Sequence, residues 1–166
     1  MALITKDMKR LLYIILTASA ALMAASCEKA GESISTPAAL DPSVIGEWHL
    51  SRMLAEGSLI EDMPDVYLAI NPDGTFELYQ KSGTQSLRHD RFTGTCYTQD
   101  GILSGVYSNG DAWGSKWEYV MTLDGLLLKS FNMLEENLYV KTEIPREVRI
   151  NANDVVVKSY SMAPIL

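Results

Sequence analysis

Residues 91–107 read RFTGTCYTQDGILSGVY, and this stretch decides the fold class. Short runs of alternating side chains stand on both sides of Asp100-Gly101. Alternation with a period of two places one set of side chains on each face of a β-sheet. Asp-Gly suits a two-residue type I′ turn, in which both positions need a positive φ. The stretch therefore predicts a β-hairpin that joins strands 91–99 and 102–107.

The same pattern of alternating runs and turn residues continues in both directions, from Ile45 to about residue 143. It predicts about eight strands, in segments 46–54, 66–70, 75–79, 91–99, 102–107, 117–123, 126–131 and 137–143. In the first segment Trp48, Leu50 and Leu54 share one parity, so we expect them on the same face. After residue 27 no ten-residue stretch has the 3.6-residue period of a helix, which predicts little helix.

Strands that follow one another through short turns pair as antiparallel neighbours. About eight strands in such a meander close into an up-and-down barrel, which removes exposed edges. We therefore predict an all-β fold with one antiparallel barrel. A two-sheet sandwich is the alternative, and it would need a longer crossover connection, for which residues 82–90 are the candidate.

The first residues of the chain have the organisation of an export signal. A basic start, which includes Lys9 and Arg10, precedes the apolar residues 11–25. A helix of that length spans about 22 Å, which is short of the roughly 30 Å hydrocarbon core of a bilayer. The apolar run ends at Ala24-Ala25-Ser26-Cys27, which resembles the lipobox of bacterial lipoproteins. The resemblance implies cleavage before Cys27 and a diacylglycerol on its thiol; an ordinary secretory signal or an uncleaved anchor are the alternatives.

The chain is thus divided into a lipoprotein signal peptide (1–26), a flexible tether (27–44), a barrel (45–145) and a C-terminal extension (146–166). The extension contains two strand-like pieces, 148–150 and 155–157, which would either add edge strands or stay partly mobile. This organisation predicts a protein that is exported from the cytoplasm and held in the cell envelope, at the outer membrane, by palmitate-type chains on Cys27.

The charge of the chain argues against a nucleic-acid partner. The formal net charge is −7, and loss of residues 1–26, with three basic residues and one acidic residue, makes it −9. The basic residues are scattered, whereas a protein that binds the phosphate backbone needs clustered cations. With Cys27 acylated, Cys96 is the single remaining cysteine, so the domain has no internal disulfide and depends on its core.

Gly46-Glu47-Trp48 opens the first strand directly after the tether, and Asp73-Gly74-Thr75-Phe76 lies in a later hairpin. Over about residues 44–145 the chain resembles the lipocalin-like domains of many small lipoproteins of Bacteroides-type bacteria. The resemblance implies a barrel in which Trp48 plugs the closed end.

The resemblance further implies an arginine stacked on this tryptophan, for which Arg146 and Arg149 are the candidates. The chain departs from the family in two respects: the second and third signature segments are not recognisable, and no helix is predicted after the last strand.

Groups that could carry catalysis are few. His49 and His89 are isolated, and we predict the first at the surface and the second in a polar loop. Cys96 is predicted to be a buried thiol, because no catalytic motif accompanies it. The side chains of Glu135-Glu136 point to opposite faces of a strand and cannot form a facing pair. Residues 71–74 predict a turn, since they lack the ligand series of a calcium loop. We therefore predict no enzyme, no cofactor and no metal site.

The remaining feature is a set of large side chains at alternating positions. These candidate lining residues of a ligand cavity are Trp48, Leu68, Phe76, Trp117, Tyr119, Met121, Leu126 and Leu128. An eight-stranded barrel either fills its interior with side chains or encloses one small ligand. The leading hypothesis is a membrane-anchored protein whose barrel binds a small hydrophobic or amphipathic molecule. The alternative is a non-enzymatic interaction or inhibitor module with a filled core, whose protein partner the sequence does not identify.

Overall fold

A computed structural model describes residues 40–81, 86–131, 134–157 and 164–166. The strands are β1 (Gly46–Ala55), β2 (Ser58–Leu59), β3 (Val66–Ile70), β4 (Thr75–Lys81), β5 (His89–Gln99), β6 (Ile102–Tyr107), β7 (Trp117–Met121), β8 (Leu126–Ser130), β9 (Glu135–Lys141) and β10 (Asn153–Asp154). Eight of these strands form a closed antiparallel barrel, which confirms the predicted fold class.

The barrel is a meander with a single seam. From β1 the sheet runs through β3, β4, β5, β6, β7, β8 and β9, and β9 pairs with β1 again. The short β2 forms a hairpin with β1, and β10 lies parallel to β5 outside the barrel. Because β4 and β5 are antiparallel neighbours, their connection is not the crossover that a sandwich would need.

The hairpin predicted at Asp100-Gly101 is present. Asp100 has φ 51° and Gly101 has φ 78°, the positive values that a type I′ turn requires. The flanking residues Gln99 and Ile102 are paired across the turn.

One interior parity prediction was wrong, and a β-bulge explains why. The pairing of β1 with β9 skips Ser51, between Leu50 and Arg52. An extra residue reverses the parity of the residues that follow it. Met53 therefore pairs with the fully buried Asn137, whereas Leu54 does not share the inward face of Leu50.

The C-terminal extension differs in part from the prediction: it adds one short strand, β10, but at residues 153–154, and residues 155–157 are not a strand. Residues 148–150 are not a strand: they lie in a short helix, α1 (Arg146–Asn151), so the expected absence of a helix after the last strand was wrong. Val148 and the preceding Ile144, four residues apart, are buried against the outer face of the sheet. Six residues are too few to show a helical period, which is why the sequence pattern did not reveal the helix.

Ion pairs attach α1 to the barrel wall. Arg149 donates to Glu47 Oε1 at 2.7 Å on β1 and to Glu77 Oε2 at 2.9 Å on β4. Arg91 on β5 lies 3.4 Å from Glu77 and 2.6 Å from Asp154 of β10. The helix and β10 are therefore bound to the same outer face by one connected set of charges.

Cys27, the signal peptide and the tether up to residue 39 lie outside the described residues. Within the part of the chain that is described, no helix combines the length and apolar character needed to cross a bilayer.

Candidate functional site

The barrel interior contains most of the predicted lining residues. Six of the eight are at most 1% exposed and belong to one core cluster: Trp48, Leu68, Phe76, Trp117, Leu126 and Leu128. Tyr119 is half-buried against that cluster. Met121 is the last residue of β7 and is 42% exposed, because the core does not extend to this end of the strand. It therefore does not line the interior.

Trp48 lies at the floor of the barrel, the end at which β1 begins, and its ring is held from two sides. Its Nε1 donates a 3.0 Å hydrogen bond to the carbonyl of Val44, a fully buried residue. Lys141 Nζ lies 5.4 Å from the ring centroid in a cation–π contact. Gly46 leaves room for the lysine, since a Cβ at this position would come within 3.2 Å of Lys141 Cε.

The expectation that Arg146 or Arg149 stacks on Trp48 was therefore wrong. Arg149 lies 5.9 Å from the ring centroid of Tyr79 instead, on the outer face of the barrel. The reason is the position of α1, which packs on the wall and not beneath the floor.

Hydrogen bonds hold the chain entering β1 across the floor. The main-chain N–H of Asp41 donates to Thr98 Oγ1 at 2.7 Å, and the Tyr119 hydroxyl donates to Asp41 Oδ2 at 2.8 Å. Hydrogen bonds from the backbone and side chain of Ser43 and from the Tyr119 hydroxyl hold the pKa of Asp41 below its usual value. Asp41 is thus a charged link between the ends of β5 and β7, and the interior is closed at this end.

Two polar residues on β9 face the core and leave hydrogen-bonding groups unpaired. Asn137 and Tyr139 are both 0% exposed and pair with Leu128 and Leu126, which are also fully buried. Among the described residues, Asn137 Oδ1, Asn137 Nδ2 and the Tyr139 hydroxyl have no hydrogen-bond partner. The sequence prediction missed this pair; the available signal was an asparagine at the inward parity of an apolar strand.

Two indole N–H groups in the core are also without a partner in the described part of the chain. They belong to Trp117 on β7 and to Trp113 in the connection between β6 and β7. Trp113 lies over Gly105, where any Cβ would overlap the indole. The prediction missed Trp113, because it is outside the alternating strands.

These unpaired groups are costly to the fold. Each buried group without a partner costs roughly 1–3 kcal/mol, and native proteins pair the large majority of such groups. Asn137 offers a donor and an acceptor, Tyr139 can do either, and each indole donates. Burial raises the pKa of Tyr139, which keeps its hydroxyl neutral. The apolar interior therefore contains hydrogen-bond donors and acceptors that no described group satisfies.

The mouth, the end of the barrel opposite the floor, is where residues 164–166 lie. Leu166 is 2% exposed and belongs to the main core cluster. Its main-chain oxygen accepts hydrogen bonds from the Tyr107 hydroxyl at 2.8 Å and from the N–H of Gly114 at 3.2 Å. The N–H of Ile165 donates to Gln80 Oε1 at 2.9 Å. This part of the extension is thus inserted at the mouth.

The two histidines, predicted to be isolated, share one carboxylate on the outer face. His49 Nε2 lies 3.0 Å from Asp65 Oδ1, and His89 Nε2 lies 3.1 Å from Asp65 Oδ2. Lys81 Nζ is 3.4 Å from the same carboxylate, and the Tyr67 ring stacks on His49 with centroids 4.4 Å apart. The prediction of a loop for His89 was wrong: it is the first residue of β5 and is 6% exposed.

Burial and neighbouring charges together shift the pKa values of Asp65 and His89 in this outer cluster. Burial opposes ionisation of Asp65, but the hydrogen bond from His49 and the charges of His89 and Lys81 hold its pKa below the usual value. Burial lowers the pKa of His89, and Asp65 offsets only part of that effect. A cleft of about 280 Å³ adjoins the cluster.

The larger of the two clefts described, about 690 Å³, lies near the turn after β1 and the start of β9. Four carboxylates line it, those of Glu56, Glu118, Glu135 and Glu136. No group of three or more His, Cys, Asp or Glu side chains among the described residues has the geometry of a metal site. Cys96 is buried, as predicted, and burial raises the pKa of its thiol to about 12.

No family model and no curated protein sequence matches the chain. Among solved structures, it is similar to a lipoprotein YedD from Klebsiella pneumoniae subsp. pneumoniae MGH 78578. The two chains share 12% sequence identity with a TM-score of 0.43, over 69% of this chain and 85% of that chain.

Proposed function

We propose that this protein is a lipid-anchored protein of the cell envelope whose barrel binds one small amphipathic molecule, without catalysis. The anchor is the acyl group that the lipobox-like sequence at Cys27 predicts. The ligand would lie in the barrel with its polar end toward β9. The outer membrane stays the predicted location.

The observation that supports this proposal is the fully buried Asn137, whose amide oxygen and nitrogen both lack a partner among the described residues. A buried amide in an apolar core is costly unless something satisfies it. The Tyr139 hydroxyl on the same strand is also buried and also lacks a partner among the described residues. A ligand with a carbonyl, carboxylate or hydroxyl end would satisfy both groups while its apolar body packs among the leucines of β8.

Native mass spectrometry tests the proposal. The protein is expressed from the full sequence, purified in detergent and released from the micelle in the instrument. We expect an adduct of defined mass on the wild-type protein and its loss from Asn137→Leu, which replaces the amide with an apolar group of the same branched shape. Asn153→Leu, an exposed change on β10, is the matched control and should keep the adduct. A wild-type protein that carries no adduct and takes up no cis-parinaric acid, a fluorescent fatty acid, would contradict the proposal.

A protein-interaction module is the second candidate, and exposed apolar side chains favour it. Leu123 in the turn after β7 is 108% exposed, and the neighbouring Val120 and Met121 are 40% and 42% exposed. A photo-crosslinking amino acid at position 123 in living cells should trap one partner of constant mass if this surface binds a protein. The same substitution at exposed Asn109 is the control.

A further inference from the structure

Residues 164–166 contact the mouth as a bound peptide would. The Ile165 N–H donates a hydrogen bond to the side-chain oxygen of Gln80. The Leu166 oxygen accepts hydrogen bonds from the Tyr107 hydroxyl and the Gly114 N–H. Both groups that residues 164–166 contribute to these three bonds, the Ile165 N–H and the Leu166 oxygen, belong to the main chain. The mouth therefore recognises features that any peptide segment carries.

The receiving groups are buried and belong to the barrel itself. Gln80 on β4 is 7% exposed and Tyr107 on β6 is 4% exposed. Without the tail, both would lose the partners at 2.9 Å and 2.8 Å. A chain that enters the emptied mouth can restore these hydrogen bonds.

The apolar part of the mouth is aromatic and well supported. Tyr107 packs edge-on to Phe76 at 5.7 Å and to Phe92 at 6.3 Å between ring centroids. Trp113 packs edge-on to Phe76 at 5.1 Å. Leu166, a member of the same cluster, is 2% exposed. A leucine-sized side chain thus adds apolar recognition to the main-chain hydrogen bonds.

We propose that the mouth of the barrel is a binding subsite for a short apolar peptide segment, and that residues 164–166 occupy it in cis. The peptide that fits has an apolar residue of about leucine size, preceded by a residue with a free main-chain N–H. The resident segment acts as a plug, which a competing peptide must displace. This inference does not depend on whether the interior below the mouth holds an amphipathic molecule.

Isothermal titration with the peptide acetyl-Pro-Ile-Leu tests the subsite. The proteins are the full chain and a variant that lacks residues 164–166, both purified in the same detergent. We expect saturable binding to the shortened variant and at least about tenfold weaker binding to the full chain, because apparent affinity falls with the fraction of molecules in which the plug leaves the site free. Acetyl-Pro-Ile-Ala should bind the shortened variant roughly tenfold more weakly or worse, because burial of a leucine side chain contributes about 1.5–3 kcal/mol and 1.4 kcal/mol corresponds to tenfold.

A second substitution distinguishes specific recognition of the peptide from nonspecific hydrophobic binding. Tyr107→Phe in the shortened variant removes one donor and should weaken acetyl-Pro-Ile-Leu about fivefold, the effect of one hydrogen bond of about 1 kcal/mol. Equal binding of the two peptides, or equal binding by the full chain and a folded shortened variant, would overturn the proposal. So would a folded shortened variant that binds neither peptide.

The test holds even if the shortened variant does not fold alone. Near-ultraviolet circular dichroism then reports whether excess acetyl-Pro-Ile-Leu restores the native signal of the buried tryptophans. Restoration by this peptide and not by acetyl-Pro-Ile-Ala supports a separable subsite. No restoration, combined with a Leu166→Ala full chain that is folded and does not bind the peptide, refutes it.

Discussion

At the scale of single residues, Asn137 on β9 lowers the stability of the ligand-free protein, whereas the proposed function requires its amide. Asn137 has an unpaired amide in an apolar core among the described residues. Replacing it with leucine removes that desolvation cost, so the ligand-free protein should gain about 1 kcal/mol in the free energy of unfolding. Urea denaturation measures the change. Asn137→Ala is the control: it removes the amide but leaves a cavity, and it should not stabilise the protein.

Gly105 is a second residue whose role follows from geometry. An alanine there would place its Cβ inside the indole of Trp113, so Gly105→Ala should lower the free energy of unfolding by about 2–3 kcal/mol. Gly114→Ala is the matched control in the same region, because its Cβ would lie 3.8 Å from the nearest atom outside its chain neighbours, the Leu166 oxygen. It should change stability by no more than about 0.5 kcal/mol. Equal effects of the two changes would contradict this account of the packing.

His89 predicts a dependence of stability on pH. Its pKa in the folded protein is lowered from 6.5, chiefly by burial, so the unfolded chain binds the proton more tightly. The stabilising contribution is therefore complete above pH 6.5 and is lost as the pH falls toward the folded pKa. Urea unfolding at about pH 7.5 and about pH 5.5 should show a smaller loss for His89→Gln than for the wild type. Asp65, whose pKa is also lowered, contributes a separate loss below its ordinary value of 3.8.

Residue-level features of the site were only partly predictable. Alternation identified six buried residues of the interior, because period two assigns a face. It could not reveal that His49 and His89 share Asp65, since that contact joins three strands or strand ends that are distant in sequence. Nor could it show that Lys141, rather than an arginine, lies over Trp48.

At the scale of elements, turn chemistry and alternation predicted the eight barrel strands, and short or irregular elements were missed. The alternation of side chains could not predict the bulge at Ser51, because the bulge depends on how β1 pairs with β9. The six-residue helix α1 is below the length at which a period is detectable. It is held in place by tertiary packing and ion pairs more than by helix propensity.

Arg149 should therefore anchor α1. Arg149→Met leaves Glu47 and Glu77 without this cation and should lower the free energy of unfolding by about 1 kcal/mol, a modest value because the groups are about a third exposed. Lys129→Met is the matched control: its pair with Glu136 is longer, 3.8 Å, and more exposed, so the loss should be below about 0.5 kcal/mol. Urea denaturation compares the two. A double-mutant cycle of Arg149→Met with Glu47→Gln should show a coupling energy; additivity would argue that the helix is held by Val148 packing alone.

At the scale of the whole molecule, one barrel is closed below by the chain that enters it and filled above by residues 164–166. The meander pattern of the sequence predicts the barrel, since neighbours in sequence become neighbours in the sheet. The insertion of the last residues at the mouth could not be predicted, because three residues carry no period and their contacts lie on three separate elements.

The proposed anchor gives the whole-molecule prediction. Cys27→Ala removes the thiol that would carry the lipid, so the protein should lose incorporation of labelled palmitate and be released from the membrane fraction. Fractionation followed by immunoblotting measures the release. Cys96→Ala is the matched control and should remain in the membrane fraction, since that thiol is buried in the core. A Cys27→Ala protein that stays membrane-bound and labelled would overturn the prediction.

The seam between β1 and β9 has a consequence for export. Every other pairing in the barrel joins strands that are close in sequence, whereas this one joins Gly46–Ala55 to Glu135–Lys141. A chain that emerges from a translocation channel with its first residues leading presents β1 long before β9. Until then an unpaired strand edge is exposed, and such edges template aggregation. For the exported protein that we propose, we therefore expect a chaperone to shield the nascent half-barrel until the last strand has crossed.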